Sequence, residues 1–390
     1  MKIAAIIAEY NPFHHGHAYQ IAATRAALDE NCAIVCVMSG NFVQRGSAAV
    51  FDKWSRATAA LQNGADLVLE LPVPFAVSSA EYFARGAVQT LNATGIVDTL
   101  SFGSEWSSMN DLWKTARLFN GTAYQETLRE YLRQGLSFAA ARQKAADAHL
   151  GASAGCLSTP NSTLGVEYCK AILNTKSGMT PLLIDRRGIS HDSAAVQGAF
   201  ASASLIREML FAGKNVLHFL PEGVSYINPH TLQHCERAVL ARLRTMTPQA
   251  FEELPDCGDG LANRLWTAVQ DSNGVEEILS RCKTKRYAHA RLRRLLLWAF
   301  LGMTAKDRPS APSYIRVLGF NELGRVLLRR MKSEASLPIL IKPAHVKKWS
   351  DEARQLFELE ARSTDLYHLC GEHVEPCGSE WKIKPIFYKN

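Results

Sequence analysis

The N-terminal part of the chain alternates short apolar runs with stretches of helical spacing. The apolar runs have the length and composition of strands that are buried on both faces of a parallel sheet. Alanine-rich stretches at 18–28 and 52–63 have helical spacing, and Ser78 to Glu81 has the form of a capping box opening a helix that ends before Gly95. The predicted strands are Lys2–Ala8, Ala33–Met38, Leu67–Leu71 and Thr99–Phe102. The alternation predicts an α/β fold with a Rossmann-like parallel sheet covered by helices.

The rest of the chain divides into segments that differ in composition and in predicted secondary structure. Residues 110–155 are rich in alanine and arginine without a strand-like run, which predicts a helical insertion. A loop leading into a helix at 159–173, a strand-like run at 180–185 and a helix start at Ser202 follow. The proline-containing stretch 306–313 then separates long mixed helices from a smaller α/β pattern. The predicted organisation is 1–220 as the sheet domain, 221–305 as a helical basic region and 306–390 as a small C-terminal α/β domain.

Composition and charge narrow the class of protein. Hydrophobic residues make up 47% of the 390 and charged residues 21%, as is typical of a globular protein. The formal net charge of +7 permits a polyanionic partner such as a nucleic acid. The longest apolar run, Leu295–Met303, is far shorter than the roughly 20 residues that a transmembrane helix needs. We therefore expect no membrane contact.

The nine cysteines are an odd number in a chain without a visible export signal, so we expect reduced thiols and a cytoplasmic protein. Cys370 and Cys377, with His373 between them, leave a tetrahedral zinc site incomplete. No metal site is predicted for this reason. The sequence carries no signal for an oligomeric state.

The stretch "HHGH" from His14 to His17 directly follows the first predicted strand. Parallel α/β sheets bind ligands at the carboxyl ends of their strands. A helix beginning near Gly16 would direct free N–H groups and its positive dipole end toward a phosphate. His14 and His17 are three residues apart, so on a helix they share a face and can both donate to one polyphosphate. The cluster is also compatible with zinc ligands or with polar rings that cap the strand end.

A second motif lies far along the chain in "FASASLIRE", where Ser202, Ser204 and Arg207 follow the pattern S-x-S-x-I-R. Together with the H-x-G-H turn, this motif resembles the HIGH-type nucleotidyltransferase superfamily. In that superfamily, the hydroxyls and the arginine of the second motif contact phosphates. Ser202 taken alone is also explained as a helix N-cap.

Five further phrases narrow the resemblance to one family. They are "SGNFVQRGSAAVFDKWSR", "GADLVLELP", "LSFGSE", "TPNSTLGVEY" and "RRGISHD", in this order. In this order they resemble the tRNA(Met) cytidine acetate ligase family, and the resemblance covers essentially the whole chain. One departure is "GSAAVF", where the family pattern has an acidic residue and a proline after the glycine. The departure concerns the shape of that loop.

The resemblance implies that ATP activates acetate as acetyl-adenylate, and that the acetyl group passes to N4 of the wobble cytidine of elongator tRNA(Met). ATP is then the expected nucleotide, with Mg²⁺ as a candidate companion ion, and acetate and tRNA are the expected partners. The implied catalytic residues are His14, His17, Ser204 and Arg207. The implied ATP-binding residues are Ile7, Ala8, Glu9, Tyr10, Asn11, Pro12, Phe13, His14, His15, Gly16, His17, Ala18, Tyr19, Gln20, Gly103, Asn161, Arg186 and Arg187.

Two basic regions are candidates for tRNA contact. The loop after the second strand places Asn41, Gln44 and Asp52 beside three cations, and an ordinary polar loop is an equally open interpretation. Residues 281–298 hold seven basic residues and no acidic one, on a stretch whose apolar residues allow one buried helix face. The predicted tRNA-binding residues are Arg45, Lys53, Arg56, Lys285, Arg286, Arg291, Arg293 and Arg294.

Two other functions are compatible with the short motifs. One is adenylyl or cytidylyl transfer to a small phosphorylated metabolite, which would leave the basic C-terminal half of the chain without a role. The other is a non-catalytic RNA-binding protein with a vestigial nucleotide pocket. Its weakness is that His14, Gly16, His17, Ser204 and Arg207 are all intact.

Overall fold

The computed structural model describes residues 1–185, 198–224, 226–258 and 260–389, and its centre is one mostly parallel sheet. The strands are β1 (Ile3–Ala8), β2 (Ala33–Ser39), β3 (Phe42–Val43), β4 (Ser47–Ala48), β5 (Leu67–Leu71), β6 (Thr99–Ser104), β7 (Thr180–Asp185), β8 (Ile315–Phe320), β9 (Ile339–Leu340) and β10 (Ile386–Phe387). Within those ranges the sheet has the order β10-β8-β5-β2-β1-β6-β7, with β9 beside β8. β3 and β4 form a separate antiparallel hairpin.

Helices connect the strands and form most of the C-terminal half of the chain. They are α1 (His15–Leu28), α2 (Lys53–Gln62), α3 (Val73–Ala76), α4 (Ala80–Ala93), α5 (Met109–Phe119), α6 (Thr122–Arg133), α7 (Phe138–Leu150), α8 (Pro160–Asn174), α9 (Ala203–Phe211), α10 (Glu236–Arg244), α11 (Pro248–Glu252), α12 (Leu261–Gln270), α13 (Val275–Cys282), α14 (His289–Phe300), α15 (Glu322–Glu334), α16 (Asp351–Tyr367) and α17 (Ser379–Lys382). The helices α5 to α7 lie in the segment predicted as a helical insertion.

The central strands are buried on both faces, and for this reason their sequences are continuous apolar runs instead of alternating apolar and polar residues. Ile3 and Ala5 of β1 belong to the core cluster that includes residues of α4, α8 and α15. Ala4 and Ile6 belong to the cluster on the opposite face, with residues of α1 and α2. The predicted Rossmann-like α/β class is confirmed by this arrangement.

The C-terminal segment does not form a sheet of its own. β8 pairs antiparallel with β5, and β10 extends the same sheet by pairing with β8. The strands of this segment therefore belong to the same sheet as those of the N-terminal part. Without β8, the apolar strand β5 would be an edge strand with unpaired backbone groups, and the returning chain covers that edge.

The predicted capping box at Ser78 is wrong. The Ser78 hydroxyl donates to the carbonyl of Pro74 at 2.7 Å, because the chain has just left the short helix α3. α4 begins one residue later than this prediction requires, with Ser79 as its N-cap and without a side-chain cap bond. The Ser78 hydroxyl thus bonds to the short helix α3 instead of capping α4 as the sequence pattern predicted.

The helical region from α10 to α14 packs around a second core, which also includes residues of α16. The predicted apolar stripe of α14 and the residues before it is confirmed, since Tyr287, Leu292, Leu295 and Leu296 are all buried. Trp298 fixes this unit to the sheet domain, because its indole Nε1 donates to the carbonyl of Val77 at 2.6 Å. No helix of the described ranges has both the length and the apolar character that crossing a bilayer requires.

Five ionisable side chains meet in the interior between α2 and the C-terminal segment. Lys53 Nζ lies 2.7 Å from Glu70 Oε1 and 2.6 Å from Glu380 Oε2. Arg316 contacts the second oxygen of Glu380 at 3.1 Å. Glu360, also buried, completes the group. We call this set the buried charge cluster; it joins α2, β5, β8, α16 and α17.

The charge states in the cluster differ between its carboxyl groups. Burial raises the pKa of Glu360 well above its ordinary value, and nearby Glu70 raises it further. Burial also opposes ionisation of Glu380, but Lys53 and Arg316 outweigh it and hold the Glu380 pKa below its ordinary value. Glu380 is thus the favoured anion beside both cations, while burial drives Glu360 toward its neutral form.

These charge states predict opposite effects for two isosteric substitutions. Glu380→Gln leaves Lys53 and Arg316 without their shared anion, so we expect it to lower the free energy of unfolding by about 3–5 kcal/mol. Glu360→Gln replaces a carboxyl group that burial drives toward its neutral form, so we expect less than about 1 kcal/mol. Both values are measured by urea unfolding.

The pH dependence provides the control. The folded pKa of Glu360 lies above the ordinary 4.5, so the native state keeps a proton that the unfolded state loses. The free energy of unfolding contributed by this carboxyl group therefore falls as the pH rises above the ordinary pKa of 4.5. We expect Glu360→Gln to remove that fall. Equal destabilisation by both substitutions would contradict the assignment.

Candidate functional site

A cavity of about 620 Å³ opens at the carboxyl ends of β1, β6 and β7. Its walls include the first turns of α1, α8 and α9, the β3–β4 hairpin and one side chain of α14. β1 lies between β2 and β6 in the sheet, so the cavity occupies the place where open α/β sheets bind their ligands. Its position follows from the fold rather than from any single motif.

His14 and His17 build the N-terminus of α1. His14 is the extended N-cap, and its Nδ1 accepts a hydrogen bond of 3.0 Å from the backbone N of Gly16. The backbone N of His14 donates in return to His17 Nδ1 at 3.3 Å. This is a capping box made by two imidazoles. A Cβ on Gly16 would lie 2.8 Å from His14 Cε1, so glycine leaves room for the capping ring.

The capping box also determines the tautomers of the two histidines. Each Nδ1 accepts a backbone hydrogen bond, so the neutral ring carries its proton on Nε2. The ring centroids are 3.9 Å apart, and both side chains line the cavity. The local fold thus makes Nε2–H the donor group of both rings, beside a helix N-terminus that favours anions.

Arg207 joins the two sequence motifs, which are 196 positions apart where they touch. Its guanidinium donates to the carbonyl of Asn11 at 2.5 Å and to Ser204 Oγ at 3.2 Å. Ser202 is the N-cap of α9, and its hydroxyl accepts from the backbone N of Leu205 at 3.1 Å. All three residues of this motif line the cavity with His14. A guanidinium, two hydroxyls and two imidazoles therefore share one wall.

The β3–β4 hairpin forms the opposite wall because Gly46 lies directly on the backbone of α14. Gly46 has a φ of +77°, and a Cβ there would lie 2.5 Å from the backbone N of Arg294. The contact places Gln44 and Arg45 at the cavity next to Arg293 of α14. Only glycine permits both this backbone conformation and this distance.

Most of the residues that the resemblance implies for ATP binding or catalysis meet in this cavity. The lining residues among them are Ile7, Ala8, Glu9, Tyr10, Asn11, His14, Gly16, His17, Tyr19, Gln20, Gly103, Asn161, Ser204 and Arg207. Arg186 and Arg187 lie outside the described residues. Four other residues of the selected segment, namely Pro12, Phe13, His15 and Ala18, do not line the cavity.

These four residues have other surroundings. Phe13 is fully buried with its ring 4.9 Å from that of Tyr10, and its backbone N donates to the Tyr226 hydroxyl at 3.1 Å. His15 lies near Phe200, with the ring centroids 6.4 Å apart. Side chains of α1 point in successive directions around the helix, and Pro12 and Phe13 precede it, so a continuous segment overstates the binding set.

The prediction that Lys53 and Arg56 bind tRNA is wrong. Neither side chain has any exposed surface. Lys53 belongs to the buried charge cluster. Arg56 instead binds backbone carbonyl oxygens at the carboxyl ends of β1 and β2 and before α2. Its acceptors are Glu9, Ser39, Gly40 and Phe51.

The basic residues around α14 have different environments. Lys285 and Arg286 are exposed on the approach to α14. Arg293 is exposed, lines the cavity and lies 3.3 Å from Glu276, an acidic partner from α13. Arg291 donates to the carbonyl of Asp256.

Arg294 is the least accessible of this group. Burial lowers the pKa of Arg294 to about 10, and its guanidinium donates to the carbonyl of Gln44 at 3.3 Å. Its role is to hold the hairpin. It is therefore removed from the set of surface cations that can meet a phosphate.

Several residues that line the cavity were not predicted from the sequence. Asp185 ends β7 and lines the cavity, and the rule that strand ends carry ligand contacts would have selected it. Phe83 and Tyr168 also line the cavity. Aromatic residues at helical spacing are typical of a core, so nothing in the sequence distinguished them.

The cysteines near the C-terminus do not gather around a metal site. Cys370 is buried with its Sγ 3.5 Å from Cys235 Sγ, whereas Cys377 is exposed. In the part of the chain that the structure describes, no group of three His, Cys, Asp or Glu side chains has the arrangement of a metal site.

The chain matches known proteins over its full length. The family model of HIGH Nucleotidyl Transferase matches residues 1–380. A protein of Clostridium novyi, named tRNA(Met) cytidine acetate ligase, is 36% identical over 408 aligned residues, with all of both chains covered. A protein of the same name from Caldanaerobacter subterraneus is 38% identical, with 95% of both chains covered.

Solved structures agree with these sequence matches. The apo crystal structure of Thermotoga maritima TmcAL superposes with a TM-score of 0.94 at 32% identity, and all of both chains is covered. The structure of the same protein bound with alpha-thio ATP gives a TM-score of 0.91.

The contact between the hairpin and α14 is tested by a pair of glycine substitutions. Gly46 and Gly135 both have positive φ, so Gly→Ala costs each about 1–2 kcal/mol of backbone strain. Only at Gly46 does the new methyl group collide with backbone, so we expect Gly46→Ala to cost at least about 1 kcal/mol more. Urea unfolding measures both values. Equal costs would mean that the hairpin does not depend on this close approach.

Proposed function

Because the chain belongs to the HIGH nucleotidyl transferase family and, within it, to the tRNA(Met) cytidine acetate ligases, we propose that it joins acetate to a cytidine of tRNA(Met) at the expense of ATP. The reaction has two steps. Acetate is first activated as acetyl-adenylate. The acetyl group then passes to N4 of the wobble cytidine of elongator tRNA(Met).

The first step needs donors rather than a covalent enzyme intermediate. An acetate oxygen attacks the α-phosphorus of ATP, the bond to the bridging oxygen breaks, and pyrophosphate leaves. Negative charge increases on the phosphate oxygens, and donors fixed in advance stabilise it. The Nε2–H groups of His14 and His17, the guanidinium of Arg207 and the N-terminus of α1 are suited to this role.

The contact between Arg207 and Asn11 is the observation that carries the proposal. It brings the start of α9 against the loop that opens α1, so that both motifs line one cavity. Ile7 and Ala8 then supply the strand end beneath the nucleotide, and Gly103 and Asn161 contact it from β6 and α8. Donors for phosphate thus converge where the fold admits a ligand.

Two further features complete the proposal. Asp185 is a cavity carboxylate that fits Mg²⁺ arriving with the nucleotide, since Mg²⁺ is commonly held by one or two carboxylates and substrate phosphates. The cytoplasm is the proposed location, and the nine cysteines, which form no disulfide among the described residues, are compatible with its reducing conditions.

The remaining surface cations are proposed to hold the tRNA. Arg45 and Arg293 lie at the cavity, and Lys285 and Arg286 extend the basic surface along the approach to α14. The target base must enter the cavity, so the phosphates next to it pass over this surface. Phosphate contacts of this kind give affinity without sequence preference.

Activation of acetate is tested by exchange of labelled pyrophosphate into ATP. We expect exchange that depends on acetate, because the first step is reversible and precedes the nucleic acid. Arg207→Ala should lower the exchange rate by at least ~100-fold, since it removes a charge-assisted donor needed as phosphate charge develops. Exchange that requires tRNA would contradict this order of steps. Transfer of AMP to a phosphorylated metabolite, detected by chromatography, would favour a different transferase.

The tRNA surface is tested by reversing two charges. Lys285→Glu with Arg286→Glu should weaken tRNA binding and reduce the slope of log affinity against log salt by roughly 0.7 for each lost phosphate contact. Pyrophosphate exchange should persist, because both side chains lie outside the cavity. The matched control is Arg129→Glu with Arg133→Glu, two exposed arginines of α6. If both double variants bind equally well, the tRNA lies elsewhere.

A further inference from the structure

Glu9 and Gln44 form a polar pair on the wall of the cavity. Glu9 directly follows β1 and Gln44 directly follows β3. Glu9 Oε1 accepts a hydrogen bond of 2.6 Å from the backbone N of Gln44, and both side chains line the cavity. Gln44 Nε2 is buried and has no hydrogen-bond partner within the described ranges. The pair therefore has a carboxylate acceptor beside an amide donor. Buried N–H groups are normally hydrogen-bonded, so a ligand that accepts from this amide would satisfy it.

The charge of the Glu9 carboxylate affects another side chain that lines the cavity. Tyr168 lines the same space, and its pKa is raised by burial and raised further by the charge of Glu9. The second oxygen of Glu9 is not used in the bond to Gln44. A carboxylate oxygen that meets a bound ligand accepts hydrogen bonds only, so it selects a donor group such as an amine.

The cavity has two sides, and the pair lies on one of them. On the side of β2 are Gln44 and Arg45 of the hairpin and Arg293 of α14. On the side of β6 and β7 are Gly103 and Asp185. A polynucleotide that reaches the cavity over the basic α14 surface meets the β2 side first. The nucleotide that supplies the adenylate then occupies the β6 and β7 side.

We propose that Glu9 and Gln44 bind the acceptor cytosine by its Watson–Crick edge, and that Glu9 is the base of the transfer step. Cytosine presents an N4 amine donor next to the N3 acceptor. The amine donates to the Glu9 carboxylate, and Gln44 Nε2 donates to N3. This assignment rests on the proposed function, because it needs a cytidine acceptor.

The transfer step balances with the groups present. The N4 nitrogen attacks the acetyl carbonyl carbon of acetyl-adenylate, and a new N–C bond forms. The C–O bond to the phosphate breaks, and AMP leaves with that oxygen and its electron pair. The N4 proton passes to the Glu9 carboxylate and then to water. A general base is useful here because the attacking amine becomes acidic as the bond forms.

Adenine is the competing ligand, because its N6 amine and N1 repeat the same donor–acceptor order. The position of the pair separates the two bases. Gln44 belongs to the hairpin that Gly46 and Arg294 hold against α14, so the pair is part of the wall shared with the basic surface. The cytosine assignment therefore predicts a defect in transfer, and the adenine assignment predicts a defect in ATP binding.

The test uses Glu9→Gln, whose amide oxygen can still accept from the backbone N of Gln44. Transfer is measured in a single turnover from preformed acetyl-adenylate with tRNA(Met), and activation by pyrophosphate exchange. We expect transfer to fall at least ~100-fold and exchange to fall at least ~10-fold less than transfer. Asp185→Asn is the matched control, because loss of a carboxylate proposed to hold the Mg²⁺ of ATP should lower exchange more than transfer, the reverse of the result expected for Glu9→Gln. Transfer at the wild-type rate in Glu9→Gln overturns the proposal.

Gln44→Met tests the amide donor without leaving a buried polar atom behind. We expect a KM for tRNA(Met) raised about 10-fold, with an unchanged salt slope, because a base contact and not a phosphate contact is lost. A rise in the KM for ATP during exchange, in either variant, would assign the pair to adenine and overturn the proposal. If wild-type protein shows no exchange, the proposed function itself fails, which is distinct from both outcomes. Thermal unfolding of each variant confirms that the fold is retained.

Discussion

Arg56 is the residue on which the geometry of the site depends most directly. The carboxyl ends of β1 and β2 leave the sheet with carbonyl groups that no neighbouring strand pairs, and the ligand cavity lies directly above them. One buried guanidinium binds three of these carbonyls, those of Glu9, Ser39 and Gly40, and also the carbonyl of Phe51 before α2. Arginine suits this position because its planar fork has five donors and keeps its charge when buried. The loops that carry Glu9 and the β3–β4 hairpin are therefore fixed relative to each other.

Lys53, the first residue of α2, has a corresponding role. Together with Glu380 it ties α2 to the segment that returns to the sheet through β8. α16 also contributes to the core of the helical region, so the C-terminal segment connects the sheet to α14. The wall of the cavity formed by Arg293 and the hairpin consequently depends on residues distant in sequence. The last part of the chain thus supports the wall of the cavity, although the lining residues all come from positions 7–293.

The histidine cluster shows how a local motif serves structure and chemistry together. His14 and His17 satisfy the backbone groups of α1 by their Nδ1 atoms, and the same bonds define which nitrogen is the donor. The helix therefore begins at the cavity, with the two imidazoles on its wall. His15 does not line the cavity and lies near Phe200 instead. Two of the three histidines thus account for the clustering.

The sequence by itself determined the α/β class, the strands around the site and the pairing of the H-x-G-H and S-x-S-x-I-R motifs. These features follow from local periodicity and from short motifs, and both can be read without knowing what lies across the fold. The tertiary structure alone decided which cations are available to a ligand. Lys53 and Arg56 follow the same loop as Arg45 and are equally basic, but unpaired carbonyls and carboxylates from distant segments surround the first two. Burial is a property of what packs against a residue, so neighbours in sequence such as Arg293 and Arg294 can have opposite roles.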